Sequence, residues 1–131
     1  MITVFIDTSV LFSACLSKVG ASAFILGFCR KNKIKGYISR YVLSEVKRNA
    51  AQKLDQLGKQ RLNFYILQSN LNIVDNPTHS PILAAAMKNK VNYPITFNTK
   101  DFLLPKVKGF AKSLTILTPR DFVMLIKYFK I

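Results

Sequence analysis

The run Ile2-Thr-Val-Phe-Ile6 is short, almost wholly apolar, and built of β-branched and aromatic side chains. Such a run predicts a strand buried on both faces, and only a sheet covered by helices provides that burial. The run ends abruptly at Asp7, and the polar pair Thr8-Ser9 follows before the chain turns apolar again. Val10 to Ser17 is predicted helical, with Asp7 or Thr8 able to cap it. Ser22 to Cys29 is predicted as a second helix, closing in the basic run Arg30 to Lys35, where cations favour a helix C-terminus.

The alternation then repeats. Gly36 to Ser39 predicts a second strand, followed by a helix from about Arg40 with Val42, Leu43, Val46 and Ala50 at helical spacing. A further helix is predicted over Asp55 to Ser69, with Leu57, Leu62, Phe64, Tyr65 and Ile66 as its apolar face. Leu71 to Val74 predicts a third strand and Asp75 to Thr78 a turn. Ser80-Pro81 supplies an N-cap and a first-turn proline for a helix over Ile82 to Lys90. Tyr93 to Phe97 and Leu114 to Leu117 predict strands four and five. Thr118-Pro119 repeats the capping signal before a last helix, Phe122 to Phe129. Strands alternating with helices imply an α/β sandwich with a mostly parallel sheet. No repeat, low-complexity tract or linker interrupts residues 1–131, which predicts a single domain. The functional crevice of such folds lies at the carboxyl ends of the strands.

Charge is the strong compositional fact. Twenty Lys and Arg oppose six Asp and Glu, a net +14, which points to a polyanionic partner, nucleic acid before acidic protein. Lys47, Arg48 and Lys100 are candidate nucleic-acid contacts. Cys15 and Cys29 lie in apolar segments without metal-ligand spacing, as expected of reduced core cysteines in a cytoplasmic protein. No apolar run is long enough to span a bilayer, and the start of the chain has no signal-peptide pattern, so no membrane association is expected. Five glycines include neither a P-loop nor a dinucleotide fingerprint.

Four of the six carboxylates, Asp7, Glu45, Asp75 and Asp101, fall at or near the predicted strand-end edge, with Asn98 beside Asp101. The other two, Asp55 and Asp121, sit near predicted helix starts. Carboxylates brought close repel, and a hard divalent cation relieves the repulsion. Oxygen-only donors favour Mg²⁺ or Mn²⁺ over zinc. Such an ion activates water and stabilises phosphoryl charge, so charge and carboxylates agree on phosphodiester hydrolysis.

Five segments in register resemble the PIN-domain family: Phe5 to Phe12, Val42 to Val46, Ile82 to Ala86, Ile95 to Phe102 and Ile116 to Phe122. The resemblance runs along essentially the whole chain. It implies a three-layer α/β/α sandwich and a metal-dependent ribonuclease, often the toxin of a toxin–antitoxin pair whose acidic antitoxin wraps the active groove. Thr96-Phe-Asn-Thr-Lys-Asp-Phe102 is similar to a toxin-type branch in which Asn replaces the usual first aspartate after strand four and the acid three residues later is kept. The resemblance thus assigns Asp7, Glu45 and Asp101 to the metal, with Asn98 assisting catalysis.

One position departs from the family pattern. His79 stands where an acid usually precedes the alanine-rich helix. Three readings are open: His79 binds metal or phosphate, Asp75 reaches in instead, or the domain holds RNA or protein without cutting. Structural alternatives stand beside each role. Asp7 and Asp101 also suit helix caps, Glu45 an exposed helix face, and Asn98 a plain turn, while Ser9 suits a hydrogen bond to Asp7 or a metal-bound water and a plain turn equally. Tyr37, Tyr41 and Tyr93 serve base stacking or half-buried packing. Phe5, Phe12, Phe24 and Phe28 are expected in the core, although the apolar residues from Phe24 to Phe28 suit a homodimer interface equally.

Overall fold

The computed structural model of the protein describes residues 1–74, 91–98 and 115–129. In chain order the elements are β1 (Thr3–Ile6), α1 (Thr8–Leu16), α2 (Ala21–Arg30), β2 (Lys35–Ser39), α3 (Arg40–Lys53), α4 (Gln56–Gln68), β3 (Asn72–Val74), β4 (Tyr93–Ile95) and α5 (Pro119–Phe129). Among the described residues the strands form one four-stranded sheet in the order β3-β2-β1-β4, and every pairing is parallel. This is the α/β architecture expected. The predicted helix Ile82 to Lys90 lies outside the described residues.

Local chemistry sets most of the boundaries. The Asp7 carbonyl accepts from Val10 N and Leu11 N at 3.1 and 3.2 Å and so starts α1. Ser39 Oγ accepts from Val42 N at 3.0 Å and starts α3, while Asp55 Oδ1 accepts from Gly58 N at 2.8 Å and starts α4. Thr118 Oγ1 does the same for Asp121 N at 3.2 Å, and α5 begins at once on Pro119. Helix α2 stops where Asn32 takes a left-handed φ of 58°. There Asn32 N–H donates to Cys29 O and Lys33 N–H to Phe28 O, both at 3.0 Å, the double bond of a Schellman stop.

Two strands differ from expectation. Strand β4 ends at Ile95 rather than Phe97, because the next two residues bond elsewhere: Thr96 N–H donates to Leu117 O and Phe97 N–H to Ser9 Oγ. Of the expected fifth strand, Leu114 lies outside the described residues and Leu117 makes a single parallel bridge to Ile95. The start of α5 at Pro119 bounds this bridge on its C-terminal side.

The core is one cluster built on Phe5, Ile6, Leu11, Ile25, Leu26, Ile34, Ile38, Ile95, Phe122 and Ile126, all essentially without exposure. Each such side chain contributes about 1.5–3 kcal/mol by burial. Phe122 and Ile126 reach the core from one face of α5, and the Phe122 ring lies 5.8 Å from that of Tyr93. Phe24, expected inside, is 43% exposed and stacks on half-buried Phe28 with centroids 4.6 Å apart. Cys15 and Cys29 are free, buried thiols. Helices α1 and α2 are bent 102° apart, and no single helix among the described residues is long and apolar enough to cross a membrane.

Candidate active site

The chain leaves β1 for β2 and then β3 on one side, and returns to place β4 on the other side of β1. Between β1 and β4 the direction of winding reverses, and a crevice opens at the carboxyl ends of strands flanking such a reversal. Ile6 and Ile95 are partners in register, so the residues that follow them, Asp7 and Thr96, meet at that crevice. Asp7 N–H donates to Ile95 O at 3.2 Å, carrying the pairing one step past the strand.

Asp7 is 7% exposed and tightly held. Its Oδ1 accepts from Thr8 N at 2.7 Å. Its Oδ2 accepts from Ser9 Oγ at 3.0 Å and from Thr96 Oγ1 at 2.6 Å. The capping role expected of Asp7 is thus met at Oδ1, and the same side chain lines the crevice. A carboxylate offers about four lone-pair positions, so these three bonds leave room for one further ligand on Oδ1. Thr96 Oγ1 also accepts from Asn98 N at 3.0 Å, and this small turn brings Asn98 to the crevice.

Asp7, Thr8, Ser9, Phe12, Glu45, Asn49, Lys53 and Asn98 line a cleft of about 300 Å³. The structure thus brings together Asp7, Ser9, Glu45 and Asn98 of the residues singled out from the sequence. Asp75, His79, Lys100 and Asp101 lie outside the described residues. Lys47 and Arg48 are exposed on α3 and do not line the cleft. At 100° per residue, Lys47 projects about 200° around the helix from Glu45.

The donors suit a hard cation in kind. The carboxylates of Asp7 and Glu45 face the cleft with hydroxyls and amides, and no thiol or imidazole is among its described lining residues. Thr8 adds a buried hydroxyl whose Oγ1 has no hydrogen-bond partner among the described residues. A buried polar atom of this sort wants a hydrogen-bond partner, which an ordered water or an ion supplies. Mg²⁺ is commonly held by one or two carboxylates and keeps several waters, so two acids and a ring of neutral oxygens are a fitting seat. Among the described residues no three His, Cys, Asp or Glu side chains group together.

A sequence profile of the PIN domain matches residues 3–100. The chain belongs to the PIN-domain family. PIN domains are in general nucleases and generally use divalent metal ions. No curated protein sequence matches the chain.

Three polar residues lining this PIN-domain cleft, Thr8, Asn49 and Lys53, carried no site signal in the sequence, nor did Thr96, which clamps Asp7. Asn49 and Lys53 follow Glu45 by four and eight residues and share its helix face, so helical arithmetic alone would have found them. Thr96 needed the β1–β4 register, which no local pattern encodes. Phe12, expected in the core, is half-buried and forms part of the cleft wall.

Proposed function

We propose that this PIN domain is a Mg²⁺- or Mn²⁺-dependent endoribonuclease. The observation that carries the reading is the placing of Asp7. It sits at the β1–β4 winding reversal, clamped by Thr96 and Ser9, and Glu45 lines the same cleft on a chain of net charge +14. Asp7 and Glu45 hold the metal, with Asp101 as the third acid and His79 or Asp75 completing the set. When bound, the ion supplies an activated water and charge stabilisation on the phosphoryl oxygen. Ser9 and Thr96 keep the Asp7 carboxylate from turning. Asn98 orients substrate through its amide, and the basic surface, including Lys100, attracts the RNA strand. Lys and Arg in such excess also suit an acidic protein partner, as in a cytoplasmic toxin held by its antitoxin.

The test is cleavage of labelled single-stranded and hairpin RNAs with Mg²⁺ or Mn²⁺, with and without EDTA. Cutting is expected only with a divalent ion, and Asp7→Asn is expected to abolish it while keeping the fold. Hydroxyls accept as well as donate, so Ser9 and Thr96 can turn to meet an amide at residue 7. Purified protein that cuts none of these RNAs with either ion would overturn the reading.

His79 in place of an acid favours a second reading, a PIN domain that binds RNA or protein without cutting. His79→Asp separates the two. A silent wild type that gains metal-dependent cleavage on this substitution supports the binding module. A wild type already active and little changed by it rules the module out.

A further inference from the structure

Lys53 is the one cation lining the described part of the cleft. It stands on α3 at the end of a ladder, Glu45, Asn49, Lys53, in which each member follows the last by four residues and keeps to one face. The helix rises about 1.5 Å per residue, so the base of Lys53 is displaced about 12 Å along the axis from that of Glu45. Half-buried Asn49 lies between them. An acid, an amide and a cation in a line along a cleft wall match the needs of a polyanion that passes a metal seat. The cation would oppose a metal beside Glu45 but suits a phosphate further along.

We propose that Lys53 binds a phosphate flanking the one at Asp7 and Glu45, and so holds a single strand along the cleft wall formed by α3. This rests on the reading of the cleft as an RNA site. The Lys53 ammonium is a flexible point charge and takes one non-bridging phosphate oxygen pair without reading the base. Affinity therefore gains a term independent of sequence and sensitive to salt. A cation in the last turn of a helix also complements the macrodipole. That structural role would change thermal stability and leave the salt dependence of RNA binding alone.

The experiment measures binding of a fluorescein-labelled oligouridylate in EDTA over a series of salt concentrations. It compares wild type, Lys53→Ala, Lys53→Arg and Lys33→Ala. Lys33 is an exposed lysine just before β2, at the amino ends of the strands and away from the cleft. For Lys53→Ala the slope of log K against log salt is expected to fall by about 0.7, the loss of one single-strand phosphate contact. Lys53→Arg should keep the wild-type slope, and Lys33→Ala should leave it unchanged. An unchanged slope for Lys53→Ala, or an equal fall for Lys33→Ala, overturns the proposal. If wild type binds no RNA at any salt, the proposal and the RNA reading of the cleft fall together. If the Lys53-dependent slope is seen but no RNA is cut, Lys53 keeps its role and only the nuclease reading falls.

Discussion

Oδ1 of Asp7 accepts the Thr8 N–H at the start of α1, while Oδ2 is fixed by Ser9 and Thr96. The Thr96 bond is the shortest of the three at 2.6 Å and crosses 89 residues of chain. Hydrogen bonds to a charged acceptor contribute about 1.5–3 kcal/mol. Thr96→Val keeps the shape and removes the donor, so it should lower unfolding stability by about that amount in urea titration. It should also free Asp7 to rotate and depress cleavage while leaving RNA affinity in EDTA near wild type. An unchanged urea midpoint would show that the bond contributes nothing net. Asp7 was legible from sequence because an acid directly after a buried strand is conspicuous. Thr96 was not, because a threonine after a strand is ordinary until the neighbouring strand is known. Ser9 was readable only as an ambiguity, and its geometry resolves it as a brace for Asp7.

Strand β2 ties the other half of the site to the core. It runs from Lys35 to Ser39, and Ser39 then caps α3, which carries Glu45, Asn49 and Lys53. Gly36 on this strand is buried, and a Cβ there would lie 2.8 Å from Cys29 Sγ and 2.9 Å from Leu71 Cδ2. Gly36→Ala should therefore push β2 from α2 and cost about 1–3 kcal/mol, checked by urea unfolding. A neutral result would mean that the Leu71 and Cys29 side chains give way freely. Most element starts could be read from capping chemistry, since Ser39, Asp55 and Thr118 each do locally what their residue types suggest. The end of β4 could not. It is decided by Leu117 and Ser9, partners distant in sequence that capture the backbone of Thr96 and Phe97. Lys47 and Arg48 were picked out as a charge pair, whereas the helix turns Lys53 to the cleft instead.

On the scale of the molecule, the fold buries both of its thiols under one apolar cluster. Burial raises the Cys15 thiol from 9.0 to about 11, against a smaller opposing pull from Arg61, and the Cys29 thiol from 9.0 to about 12. The folded chain thus holds two protons that the unfolded chain releases above about pH 9. Their stabilising contribution is complete below pH 9 and is lost as pH rises through 11 and 12. Each thiol steepens the loss by up to about 1.4 kcal/mol per pH unit. Urea midpoints between pH 7 and 11 should fall more for wild type than for a Cys15→Ala, Cys29→Ala double variant; parallel curves would rule this out. The strand–helix alternation made the parallel sheet legible, and the basic excess pointed to a polyanion, but neither said which strands are neighbours. That adjacency has a consequence in time. Asp7 is synthesised 89 residues before the threonine that clamps it, and the Leu117 that holds this threonine's backbone comes later still. A nascent chain therefore carries the Asp7 carboxylate unclamped until Thr96 has been made, and the proposed nuclease centre is complete only after β4 has joined β1.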